Sequence, residues 1–181
     1  VVAFLLTLPI LGWTQFVPIE GVIAIGGAGA LIAVVGFMDD HGHIAARWRL
    51  LGHFSAGAWA LFWLGGLPEV RVFGMVFDLG WAGSILATFY LVWMLNLYNF
   101  MDGIDGLASV EAICACMGAC LIYWLVGMNE LIWIPLLLAM AVLGFLCWNF
   151  PSAKIFMWDA GSGFLGIVLG MISIQAAGAS S

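Results

Sequence analysis

Long apolar runs alternate with short polar breaks along this chain, and the breaks carry most of the charge. Residues 1–11 form a short apolar run. Residues 21–38 form a longer one, rich in small residues (Gly26, Gly27, Ala28, Gly29, Ala30) that let helices approach closely. Further apolar runs occupy 50–67, 81–97, 108–127 and 131–148, and a last one covers 163–177. Continuous runs of this length predict helices that cross a bilayer, whereas a barrel strand would alternate apolar and polar residues. The fold class expected is therefore all-α, a polytopic transmembrane helical bundle of six to seven spans. Threading these spans through a bilayer puts the breaks at 39–49, 99–107 and 149–162 on one side. The breaks at 68–80 and 128–130 fall on the other.

Composition strengthens this picture. Of 181 residues, 65% are hydrophobic and 8% charged, against about 25% charged in an ordinary soluble domain. Net charge is −6, which argues against nucleic acid as a partner, since phosphate backbones are bound by basic patches. Arg47, Arg49 and Lys154 lie on the first side and Arg71 on the second, so the positive-inside rule makes the first side cytoplasmic. Cys114, Cys116, Cys120 and Cys147 lie in apolar runs without the spacing of a zinc site and read as small packing residues. Val1 opens the chain inside an apolar run with no basic segment before it, which does not read as a signal peptide. The whole of 1–181 reads as one transmembrane domain, an internal part of a longer polytopic protein and incomplete at both ends.

The chemistry concentrates in three breaks. Asn96-Leu97-Tyr98-Asn99-Phe100-Met101-Asp102-Gly103-Ile104-Asp105-Gly106-Leu107 sets two amides and two carboxylates at three-residue intervals, with a glycine after each carboxylate. The pattern predicts a helix ending near Asn99 and a polar loop at the membrane surface. A carboxylate in hydrocarbon is costly and normally faces a bundle interior or a water-filled site. The first break holds Asp39-Asp40-His41-Gly42-His43. One of two adjacent carboxylates can reach a metal or a phosphate nucleophile while the other holds an orientation or a proton. His41 and His43 are weaker candidates, because Mg2+ prefers oxygen, and His53 reads as a packed polar residue. The last break holds Asn149, Lys154, an anchor or a phosphate contact, and Asp159 before Ala160-Gly161-Ser162-Gly163. Each break alone is also what an ordinary polar turn looks like. Together they bring Asp39, Asp40, Asp102, Asp105 and Asp159 to one face, which suggests a divalent metal shared with a phosphorylated substrate.

At these residues the sequence resembles the polyprenyl-phosphate N-acetylhexosamine-1-phosphate transferases. That family includes the phospho-N-acetylmuramoyl-pentapeptide transferase of peptidoglycan synthesis and the undecaprenyl-phosphate N-acetylglucosamine-1-phosphate transferases. The likeness covers 36–49, 96–109 and 149–166, in the family's order, and the Asp39-Asp40-His41-Gly42-His43 form is most similar to the O-antigen branch. It implies a fold of about ten or eleven spans by analogy, of which this chain holds the middle, without the family's Pro-Arg-Gly-Gly-type and His-rich motifs. It implies Mg2+, with Mn2+ as a substitute, held by Asn99 and Asp159. It assigns Asp39 and Asp40 to catalysis, orienting or deprotonating the polyprenyl phosphate. Asn96, Asp102, Asp105 and Asn149 would shape the site of a UDP-N-acetylhexosamine. The location implied is a bacterial inner membrane, with the active loops cytoplasmic, and a second copy of the chain is a candidate partner. One departure stands out: the family usually has glycine before the third-motif aspartate, and here it is Trp158.

Two other classes compete. A CDP-alcohol phosphotransferase would show Asp-Gly-x-x-Ala-Arg, and the stretch from Asp102 to Gly106 lacks the Ala-Arg. An ion carrier would favour carboxylates in mid-span, whereas these five sit at span ends.

Overall fold

The computed structural model describes residues 1–72 and 75–179, without the side chains of 71, 72 and 179. Seven helices follow in order: α1 (Val2–Trp13), α2 (Ile19–Gly42), α3 (Ala46–Leu64), α4 (Gly80–Met101), α5 (Leu107–Leu125), α6 (Trp133–Asn149) and α7 (Trp158–Ala179). A 3-10 turn at Asn129–Ile132 leads into α6. The break expected as a plain loop at 68–80 instead contains an antiparallel hairpin of β1 (Val70–Val72) and β2 (Met75–Phe77), with Val70 opposite Phe77 and Val72 opposite Met75. Alternating β-branched residues there favour extended backbone over a coil. The side chain of Arg71, the basic residue expected on the far side, lies outside the described residues.

Among the described residues, five helical stretches are long and apolar enough to cross a membrane: Ile19–Gly42, Gly80–Met101, Leu107–Leu125, Asn129–Asn149 and Trp158–Gly178. That is fewer than the six to seven expected. At 12 residues α1 is too short, and α3 opens on Arg47 and Arg49 and carries His53, which dilute its hydropathy. Still, α3 retraces α2. Arg49 meets Asp39 near one end, and the Trp59 indole N–H donates to the Ile23 carbonyl (3.1 Å) near the other.

At the centre of the bundle is α7. Its apolar window is 72% buried, against 28–44% for the other four candidate spans. Phe164, Ile167, Val168 and Met171 are fully enclosed. It packs chiefly along α2 and α4, and small residues set the spacing. A Cβ on Gly36 of α2 would collide with the backbone of Asp159 and Ala160, and one on Gly166 with the backbone of Met94 and Leu95. Close backbone approach of this kind is how spans associate without a water-driven hydrophobic force. Both partners run antiparallel to α7: Asn99 meets Asp159 at one end of α4, and the Tyr90 and Ser173 hydroxyls pair at 2.7 Å further along. As a result the ends of α2, α4 and α6 and the beginnings of α3, α5 and α7 lie together at one end of the bundle.

Candidate active site at the helix ends

Two of the boundaries expected from sequence move, and each move brings candidate site residues onto a helix, while α4 ends close to Asn99 as expected. Asp39 and Asp40 sit in the last turn of α2, which runs on to Gly42 before His43 (φ 47°) ends it. Asn99 lies inside α4, two residues before its end at Met101. Asp159 lies in the first turn of α7, which begins at Trp158. The helices persist through these polar residues because each finds a partner on a neighbouring element and needs no loop to reach water.

The partners form one cluster. Arg49 Nη1 donates to Asp39 Oδ2 at 2.7 Å and stands 3.8 Å from Asp159 Oδ2. Asn99 Nδ2 donates to Asp159 Oδ1 at 2.6 Å and to the Ser162 hydroxyl at 3.2 Å. Asp40 accepts the main-chain N–H groups of Asp159 (3.1 Å) and Ala160 (3.3 Å). Asp102 closes α4 beside them. Burial, and then the negative charge of Asp159, raise its carboxyl from 3.8 to about 6. A cavity of about 20 Å³ lies behind the cluster, lined by Asn96, Asn99, Asp159, Arg49 and His53 among others. That volume holds one water-sized ligand, for which roughly 10–15 Å³ suffices. Asn96 borders it while donating to the Val92 carbonyl of its own helix (2.7 Å).

Asp105 and Asn149 join a second group. Asn149, buried at the end of α6, accepts the Gly106 N–H (2.7 Å) and donates to the Ile155 carbonyl (3.0 Å). Asp105 accepts the Ala153 N–H (3.0 Å). These contacts tie the loop before α5 to the loop before α7. Gly106 has φ +76°, and a Cβ there would press on the Phe150 ring, so this joint requires glycine. Lys154 is exposed, its ammonium 5.7 Å from the Trp148 ring centre. His41 bonds the Phe37 carbonyl of its own helix (2.9 Å) and stacks on the Phe37 ring, and His43 is exposed.

Arg49 and Ser162 join the cluster, and neither is singled out as a site residue from sequence; His53 is buried, as a packed polar residue should be, and lines the cavity. Arg49 lies ten residues after Asp39, and only the antiparallel return of α3 brings the two together. The scarcity of cations in the chain was the available signal. As for a metal, Asp159 and Asn99 offer hard oxygen donors at the edge of the cavity. Among the described residues, no three His, Cys, Asp or Glu side chains converge into a cage. Mg2+ is commonly held by one or two carboxylates plus water and substrate phosphates, and this donor set fits that mode.

Spans that end in a shared cluster of carboxylates, amides and one guanidinium define a multi-pass membrane protein with a polar site at its surface. Residues 22–177 match the model of glycosyl transferase family 4, and the chain belongs to that family. It is 35% identical over 157 residues to a phospho-N-acetylmuramoyl-pentapeptide-transferase of Moorella thermoacetica, covering 79% of this chain and 49% of that protein. It is 35% identical over 182 residues to a decaprenyl-phosphate N-acetylglucosaminephosphotransferase of Mycolicibacterium smegmatis, covering 90% of this chain and 43% of that protein. A phospho-N-acetylmuramoyl-pentapeptide-transferase of Streptococcus pyogenes is 30% identical over 167 residues. The chain spans about half the length of the curated relatives it matches.

Proposed function

We propose that the protein transfers an N-acetylhexosamine 1-phosphate from a UDP-sugar to polyprenyl phosphate, releasing UMP. The observation that carries this reading is the meeting of Asp39, Asn99 and Asp159, from three separate polar breaks, around Arg49 and one small cavity. The names of the relatives, which speak of transfer to a decaprenyl phosphate and of a phospho-N-acetylmuramoyl group, support the substrate class. In this reaction an oxygen of the lipid phosphate attacks the phosphorus that bears the sugar. The bond from that phosphorus to the UMP oxygen breaks, and UMP leaves with the electron pair.

The chain's own residues divide this work. Asp39, held by Arg49, orients the lipid phosphate or takes its proton. Arg49 offers positive charge where two polyanions must approach each other. Asn96, at the edge of the small cavity, and Asp102, at the end of α4, are assigned to the sugar nucleotide. Asp105 and Asn149 shape it by fixing the two loops, and Lys154 reaches a phosphate from the exposed rim. Asn99 and Asp159 would hold Mg2+, or Mn2+ in its place, and a metal bound there supplies charge neutralisation for the diphosphate and its leaving group. An apolar groove of about 270 Å³ between α1, α6 and α7, lined by Phe4, Phe145 and Phe164 and continuing to Met157, suits a polyprenyl chain. The setting proposed is a bacterial inner membrane with the site facing the cytoplasm, where nucleotide sugars are made. The Asp39-Asp40-His41-Gly42-His43 form supports the O-antigen type of envelope glycan.

Asp159→Asn tests this reading in the complete natural reading frame. Transfer of radiolabelled sugar phosphate to undecaprenyl phosphate should fall by several orders of magnitude while the protein still inserts and purifies as a single species. Parental turnover with unchanged Mg2+ dependence would remove Asp159 from the site and leave a likeness of fold without this chemistry.

A further inference from the structure

We infer that Asp40 is a positioning residue, which acts through the first turn of α7 to hold Asp159 in place and does not work on the substrate. The inference rests on the transferase reading above and assigns one of its two adjacent aspartates.

A helix leaves its first N–H groups without partners in the helix itself. At the start of α7 nothing local supplies an acceptor side chain, because Met157 and Trp158 carry no side-chain oxygen. The partner comes from another helix. Asp40 places Oδ1 on the Asp159 N–H and Oδ2 on the Ala160 N–H, so both carboxylate oxygens are committed to the main chain of α7. The positive end of the helix dipole favours a carboxylate at this point.

A second contact makes the joint rigid. Gly36 lies one turn before Asp40 on the same face of α2, and there the α2 backbone rests directly on Asp159 and Ala160, with no room for a Cβ. Gly36 therefore sets how closely α7 approaches, and Asp40 sets its height and rotation. From the turn so fixed, the Asp159 side chain projects to Asn99 Nδ2 (2.6 Å) and towards Arg49 (3.8 Å). Asp39 is turned about 100° around the helix from Asp40 and faces Arg49 instead. The adjacent aspartates thus have separate tasks: Asp39 faces the reacting groups, and Asp40 holds the element that carries Asp159.

The test compares Asp40→Asn with Asp40→Ala in the complete reading frame, in lipid nanodiscs, by hydrogen exchange and by transfer kinetics against pH. Asparagine keeps one of the two acceptor oxygens, and a single side-chain oxygen caps a helix about as well as aspartate. Asp40→Asn should therefore stay within about tenfold of the parental kcat, with the acidic limb of the pH profile unmoved. Alanine leaves both N–H groups without their acceptor. Asp40→Ala should lose about 100-fold in kcat, the scale of a 1 Å misplacement, with accelerated exchange confined to the amides of 159 and 160. Equal loss in both variants with parental exchange at those amides would overturn the inference, as would loss of the acidic limb in Asp40→Asn. Should the parental protein transfer no sugar phosphate, the transferase reading fails, and exchange alone decides the role of Asp40. Acceleration at 159 and 160 in Asp40→Ala then supports it, and unchanged exchange overturns it.

Discussion

Trp158 occupies a backbone conformation that suits another residue. Its φ is +57°, a left-handed geometry that costs a residue with a Cβ roughly 1–2 kcal/mol. The ring is 60% exposed, so its packing returns little. Glycine fits the geometry but gives up about 0.5–1 kcal/mol in chain entropy. Trp158→Gly should gain about 0.5–1 kcal/mol in denaturant unfolding and keep or raise transfer; a less stable variant would show that the indole packs to advantage. Asp102 lends itself to a pH measurement. Its carboxyl is raised by burial first and by the charge of Asp159 second, from 3.8 to about 6. Between those values the native state holds more protons than the unfolded chain. The contribution is full below about pH 4 and is lost as pH rises through about 6. Asp102→Asn should flatten that part of the stability curve relative to the parent; parallel curves for both proteins from pH 4 to 7 would count against the assignment. At this scale the sequence was informative about which residues gather, since polar side chains in apolar surroundings need a shared solution. It was silent on how they pair. Asp39 and Asp40 are indistinguishable in the sequence, and only the arrival of α7 separates them.

At the scale of elements, the runs of hydrophobic residues placed all seven helices, because a span must satisfy its own backbone in lipid. The ends were less legible. Helix α2 passes the first charge by three residues, and α7 starts five residues before the apolar run, since Asp39, Asp40 and Asp159 are satisfied by partners far away in sequence. The pairing of β1 with β2 is not legible in the sequence either, because each strand is three residues long and too short to show a period. The loops between α4 and α5 and between α6 and α7 behave as one element through Asn149. Asn149→Leu preserves bulk but orphans the Gly106 N–H and the Ile155 carbonyl, each worth about 1–3 kcal/mol when left unpaired. A drop in the thermal midpoint is expected, together with faster proteolysis within 150–157. A midpoint equal to the parent would mean that water replaces both contacts without cost.

For the whole molecule, the polar breaks at 39–49, 99–107 and 149–162 meet at one end, as the threading of the spans requires. Sidedness can be measured directly. In a background with Cys114, Cys116, Cys120 and Cys147 replaced, single cysteines at the exposed positions Gly42 and Ser152 should react with a membrane-impermeant maleimide only from the cytoplasmic side. One at Glu69 should react only from the opposite side. The reverse pattern would sink the cytoplasmic site. The weaker span, α3, was counted from its apolar character alone, whereas Arg47, Arg49 and His53 lower its hydropathy and place Arg49 in the site.

The burial of α7 has a consequence for biogenesis. It is the most enclosed of the five candidate spans, yet the ribosome delivers it after both of its main partners, α2 and α4. Until α7 emerges, the faces of α2 and α4 that it will cover stand open to lipid, and Asp40 and Asn99 lack their partners on α7. Insertion of α7 therefore brings the first turn of that helix to Asp40 and Asn99 in a single step. A nascent chain that stalls before Trp158 holds α2 and α4 but leaves Asp40 and Asn99 without these contacts.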